Sequence, residues 1–295
     1  MTESSISLHQ HESLRTGLLR VVDALTDSVT GSLDQLSHNG EQDIHRVRTT
    51  IKRLRALLRL IRPAVDPAFF NRENRRLRTA AGLLSFARDT EVARGTLKAL
   101  PVSDQADQDA VQSVLAGLEN NVELPDDGHR AMAEVKRRLE QTRRNFRRLR
   151  LRGSEPHILE QGLRAVYRQG RNRMKDAIEL GEDTAFHRWR IRAKNLYYEI
   201  EFLESVCPKR LHRLLLRLSK LQDKIGVDHD AAVLRAWLKK TPEKFGGSET
   251  VRRVVSCLDQ QISELRKRAV PLGRQIWGEK PHRFARRIAR QLRKR

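Results

Sequence analysis

Apolar residues recur along almost the whole chain at steps of three and four, and no stretch alternates at every second position as a strand would. That period predicts an all-helical protein. Helices are expected at about 8–37, 41–62, 67–86, 89–100, 105–120, 129–152, 156–180, 184–205, 208–226, 229–240, 248–270 and 281–293. Breaks fall at Pro63 and Pro67, Pro101, Pro125 to Gly128, Gly153 to Pro156, Pro208, Pro242 with Gly246 and Gly247, and Pro271.

The pattern also returns on itself. Ile44-His45-Arg46-Val47-Arg48, with Lys52 and Leu54, comes back 142 residues on as Phe186-His187-Arg188-Trp189-Arg190, with Lys194 and Leu196. Arg88-Asp89 with Val92 returns 141 residues on as His229-Asp230 with Val233. Two ordered matches at nearly one offset predict an internal duplication: a first bundle over 1–153 and a second over 154–295. Bundles so related pack about a pseudo-twofold axis, which brings equivalent helices face to face.

Within the helix from Ile44 to Arg62, Val47, Ile51, Leu54, Leu58 and Ile61 share one face. His45, Arg48, Lys52, Arg55, Arg59 and Arg62 share another, a cationic line about 25 Å long at 1.5 Å per residue. Like charges at i,i+4 repel by a few tenths of a kcal/mol per pair, and no acid interrupts the run between Asp43 and Asp66. A merely solvated face would intersperse Glu. The second copy buries Phe186, Trp189, Ala193, Leu196, Ile200 and Leu203 and carries His187, Arg190 and Lys194, then turns to Tyr197 and Glu201. A third stripe, Arg164, Arg168, Arg171 and Lys175, lies opposite Leu159, Leu163, Val166, Gly170 and Met174. Arg72, Arg75, Arg76 and Arg78 in the first half, with Arg213, Arg217, Lys220 and Lys224 in the second, extend the charge to flanking helices. Basic stripes on adjacent helices predict a lined central groove or pore.

Composition sharpens this. The chain has 59 Lys and Arg against 37 Asp and Glu, a formal net charge of +22 over 295 residues. Such a surface attracts polyanions: nucleic acid, anionic membrane or phosphate chains. Arg forks grip phosphate oxygens in pairs and Lys adds point charges, each charge-assisted bond contributing about 1.5–3 kcal/mol. A long anion collects many of these and releases counterions. Two cysteines, Cys207 and Cys257, make no disulfide framework and fit a reducing compartment. No window resembles a signal peptide or a membrane span, so a cytoplasmic protein without a membrane partner is expected.

His45 and His187 read either as structural histidines near helix starts or as phosphate donors whose charge grows below pH 6.5. Neither has a second ligand at metal spacing on its own face, so no metal is expected. Asp89 and Asp230 read as carboxylates opening short helices, where they cap free N–H groups. Paired carboxylates, a nucleophile with a base and a Gly-rich phosphate loop do not stand out, so neither an enzyme nor a cofactor is expected. The Arg-rich runs Lys136 to Arg152 and Arg283 to Arg295 read as solvated faces.

The ordered set His45-x-x-Arg48-x-x-x-Lys52-Arg53-x-Arg55, Arg88-Asp89-x-x-Val92, Tyr167-Arg168-x-Gly170-Arg171 and His187-x-x-Arg190-x-x-x-Lys194 resembles the CHAD domain, the conserved histidine α-helical domain, from about residue 8 to 293. The resemblance implies two four-helix bundles related by pseudo-twofold symmetry, with a basic central pore or groove that binds inorganic polyphosphate. Some members of the family associate with polyphosphate granules. On that likeness His45, Arg48, Lys52, Arg55, His187, Arg190 and Lys194 map to the basic helix motifs, and Arg168 and Arg171 to the helix before the second one; the basic stripes add Arg59, Arg78, Arg164, Lys175, Arg217 and Lys220 as expected binding residues. The chain departs from the family at Ser85, where Gly is frequent, at His229 in place of Arg, and at Tyr197 in place of a basic residue. These departures bear on whether the halves grip alike. The alternatives are a nucleic-acid binder, which charge favours but which lacks stacking aromatics among the stripes, and a phosphate-metabolism enzyme using the duplicated histidine.

Overall fold

The computed structural model describes residues 6–34, 40–84, 89–119 and 128–292. Among them there are eleven α-helices and no strand: α1 (Leu14–Asp34), α2 (Gly40–Leu60), α3 (Pro67–Gly82), α4 (Asp89–Lys98), α5 (Gln105–Glu119), α6 (Gly128–Arg147), α7 (Glu155–Leu180), α8 (Asp183–Leu203), α9 (Pro208–Lys240), α10 (Gly247–Ile276) and α11 (Pro281–Leu292). The all-helical expectation from the apolar period holds.

Local chemistry sets most boundaries. Asp66 caps α3, accepting from the N–H groups of Ala68 and Phe69, with Pro67 in the first turn. Gly181, in the left-handed region at φ 67°, ends α7 and returns its N–H to Ala177 O. Three boundaries differ from expectation. The N-terminal helix starts at Leu14 rather than near residue 8. Ahead of it, Leu8 is fully buried, donates to Phe202 O at 2.7 Å and accepts from the Ser205 hydroxyl, so tertiary bonds replace helical ones. The expected helices 208–226 and 229–240 are one, α9. Asp230 therefore sits half-buried in mid-helix and caps nothing.

Pro271 does not end α10. The helix continues to Ile276 because its last turns pack on α8: Gly273 lies so close to Trp189 that a Cβ there would stand 2.4 Å from Cζ2. Pro271 itself is exposed, and water can reach the carbonyl its missing N–H leaves over.

Two cores form. The larger joins α1, α2, α3, α6, α7, α8, α11 and the first half of α9, centred on Leu54, Phe146, Tyr167, Trp189 and Trp277. The smaller joins α4 and α5 to the last half of α9, the turn at Pro242–Phe245 and the first half of α10, around Val114, Leu234, Phe245 and Leu258. Neither core stops at residue 153, the expected boundary, and α4 and α5 bury their apolar faces on second-half helices. The pairs that the repeat offset relates do lie together: α2 on α8, α4 on α9, α5 on α10. Glycine permits a close approach of α7 to α2. A Cβ on Gly162 of α7 would stand 2.0 Å from Leu60 O of α2.

Candidate anion-binding site

The α2 stripe converges with three other helices at its C-terminal end. Arg55, Arg59 and Arg62, spaced i, i+4, i+7, face a cavity of about 680 Å³. α3 adds Phe70 and Asn74, α7 adds Gly162, Val166, Gln169, Arg173 and Asp176, and α8 adds Ile191 and Arg192. Arg55 Nε donates to Asn74 Oδ1 at 3.2 Å, and Arg59 Nη1 to Arg55 O at 3.0 Å and Asn195 Oδ1 at 3.3 Å. The Arg62 guanidinium lies 4.8 Å from the Phe70 ring centre.

Every cation here except Arg173 lacks a carboxylate. Among the described residues no ion pair involves Arg55, Arg59, Arg62, Arg78 or Arg192, and Arg173 is paired with Asp176 at 2.7 Å. The proximity shows in the side chains' acidity. Burial, then Arg55, pulls Arg59 down to about 10. Arg55 is lowered by burial and by Arg78 and Arg192, and Arg192 by burial and Arg173. Behind Arg59, Glu199 is fully buried with neither carboxyl oxygen hydrogen-bonded, and burial pushes it well above the ordinary carboxylate range. Burial thus favours its neutral form, which adds no counter-charge to the cluster.

Of the expected residues, Arg55 and Arg59 line the cavity, and Arg78, exposed on α3, is near enough to act on Arg55 electrostatically. His45, Arg48 and Lys52 continue the same face of α2 toward its N-terminus; Arg48 Nη1 reaches Leu84 O at 2.6 Å. His187, Arg190 and Lys194 lie about half a turn round α8 from Arg192, and the His187 Nδ1 stands 3.2 Å from Nδ1 of His229 on α9. That contact needs one ring as donor and one as acceptor, which suits a neutral pair. Burial, then Arg190, lowers the His187 pKa, so its charging falls below pH 6.5 rather than across the neutral range. Arg164, Arg168 and Lys175 are exposed on the face of α7 opposite the cavity, and Arg171 bonds Glu279 O at 3.4 Å. Arg217 lines a separate cleft of about 330 Å³ with Lys209, Arg210, Arg213 and Arg287; Lys220 is exposed on α9. Arg88 and the Asp89 side chain lie outside the described residues.

Arg173 and Arg192 escaped the sequence reading, though a signal was there. Gly162, Val166, Gln169, Arg173 and Asp176 step by three and four along α7, as do Arg188, Arg192, Asn195 and Glu199 along α8. These stripes mix small, neutral and charged residues, so a search for basic residues alone passes over them. The Arg-rich α6, by contrast, is largely ion-paired: Arg143 with Asp23 and Asp27, Arg147 with Asp23, and Arg137 and Arg138 with Glu134.

The family model of the CHAD domain matches residues 20–239, and the chain belongs to that family. The fold is similar to the crystal structure of the CHAD domain from the plant Ricinus communis, at TM-score 0.63 and 18% identity, covering 93% of this chain and 94% of that one. No curated protein matches the sequence. Among the described residues no helix is long and apolar enough to cross a membrane, and no three or more His, Cys, Asp or Glu side chains are grouped to hold a metal ion.

Proposed function

We propose that this CHAD protein binds inorganic polyphosphate, without catalysis, through the α2 stripe and the arginine cavity in which it ends. One observation carries the reading: four guanidinium groups lining the cavity, those of Arg55, Arg59, Arg62 and Arg192, have no carboxylate ion-pair partner, and burial favours the neutral form of the carboxyl behind them. Holding like charges together costs stability unless an anion neutralises them, and Arg forks suit phosphate oxygens. The family likeness selects polyphosphate among the polyanions that net charge alone would admit. On this reading the protein is cytoplasmic and associates with polyphosphate granules.

Titration of long-chain polyphosphate against wild type and Arg55→Glu/Arg59→Glu tests it, with duplex DNA as competitor at matched salt. The expected result is tight binding by wild type, loss in the variant and little displacement by DNA. Equal binding by both proteins removes the cavity from the account, and preferential displacement by DNA favours a nucleic-acid binder.

A further inference from the structure

The repeat makes a comparison that neither half offers alone. Positions 142 residues from Arg55, Arg59, Arg62 and Arg192 are Tyr197, Glu201, Glu204 and Thr50. The basic end of the α2–α8 seam thus has a counterpart that is neutral or acidic. Glu201 there accepts from Arg53 Nε and Nη2, each at 2.8 Å, and Glu204 accepts from His212 at 2.9 Å. The Arg53–Glu201 and Arg59–Asn195 contacts are related by the same offset, one closed as an ion pair and the other left with an uncompensated arginine.

The seam is also closed behind the cavity. Asn195 and Glu199 are buried directly past Arg59, and α7 is in van der Waals contact with α2 at Gly162 and Leu60. An anion pressing past Arg59 toward α8 would meet these packed side chains.

From this asymmetry we infer that the cavity seats the terminal phosphoryl group of a polyphosphate, so that the chain is held by its end. The inference rests on the polyphosphate reading above and adds polarity to it. A terminal phosphoryl group has a second ionisation near pH 6 and carries more charge than an internal unit, with more oxygens free for Arg forks. A cluster with this much uncompensated charge discriminates most strongly in favour of that group. The rest of the chain then leaves along the face of α2 bearing Lys52, Arg48 and His45.

The test compares long-chain polyphosphate with the same chain capped at both ends as an alkyl ester, which removes the extra terminal charge. End capture predicts at most two proteins per chain whatever its length, and affinity for the capped chain lower by about tenfold or more, the equivalent of one charge-assisted bond. Arg59→Gln and Arg192→Gln, with unchanged melting as control, should bring capped and uncapped affinities together. Protein copies rising in proportion to chain length, or equal affinity for both chains, would overturn end capture while leaving polyphosphate binding in place. If neither chain binds, the polyphosphate reading falls and this inference with it.

Discussion

Two arginine clusters face each other in chemistry across α8. Near its N-terminus, Arg266 donates to Asp228, Asp183 and Gly181 O, each at 2.6 Å, and stacks 4.2 Å from the Phe186 ring centre. Arg235 joins Asp183 to Asp259. Every charge there has a partner, and the network ties α8 to α9 and α10. In the cavity, Arg55, Arg59, Arg62 and Arg192 have none. The same residue type serves as a clamp where carboxylates surround it and stands with its charge uncompensated where they are withheld. Counting arginines cannot tell the two apart; counting their partners can.

Substitutions break this comparison in opposite directions. The largest effect is expected from Arg55→Glu/Arg59→Glu, which removes two charge-assisted grips and adds repulsion: polyphosphate affinity should fall by about a hundredfold or more, measured by calorimetry, with the melting temperature kept or raised. Arg266→Ala should do the reverse. It strands the buried Asp228 and should cost about 3 kcal/mol in denaturant unfolding, with affinity unchanged. Gly162→Ala forces α7 from α2 against a backbone carbonyl and should cost about 1–3 kcal/mol, with a distorted cavity lowering affinity as well.

The smallest effect is one of pH. Glu199 has its folded-state pKa raised above the unfolded value of about 4.5, so the folded protein holds a proton that the unfolded chain releases. Its contribution to stability is harmless below pH 4.5 and becomes increasingly unfavourable as pH rises toward the folded pKa, by up to about 1.4 kcal/mol per pH unit. Glu199→Gln should flatten that part of the profile and match wild type in acid. Parallel profiles for the two proteins would show that Glu199 is solvated.

Much of the fold was legible because it is written in local periodicity. The apolar step of three and four located the helices, and Pro67 and Pro208 marked starts that the structure keeps. Where the reading failed, packing had outweighed local signal: Trp189 against Gly273 carries α10 past Pro271, and buried Leu8 is bonded to the end of α8 instead of starting a helix. The site was half legible. The α2 stripe was visible since one helix face holds Arg55 and Arg59, whereas the His187–His229 contact joins residues 42 apart on different helices and has no sequence period. Arg164, Arg168 and Lys175 formed as clean a stripe as any, yet α7 turns it away from the cavity. Sequence spacing puts residues on a common face, but which face meets which neighbour is decided by the apolar stripes and by glycines such as Gly162.

On the proposed function, arginines without carboxylate partners are there for a phosphate chain. Calorimetric titration of polyphosphate into wild type, Arg55→Glu/Arg59→Glu and Arg266→Ala at equal salt addresses it most directly. Affinity is expected to collapse only in the cavity variant, and stability to drop only in the clamp variant. Wild-type affinity in the cavity variant, or an equal loss in both, would contradict it.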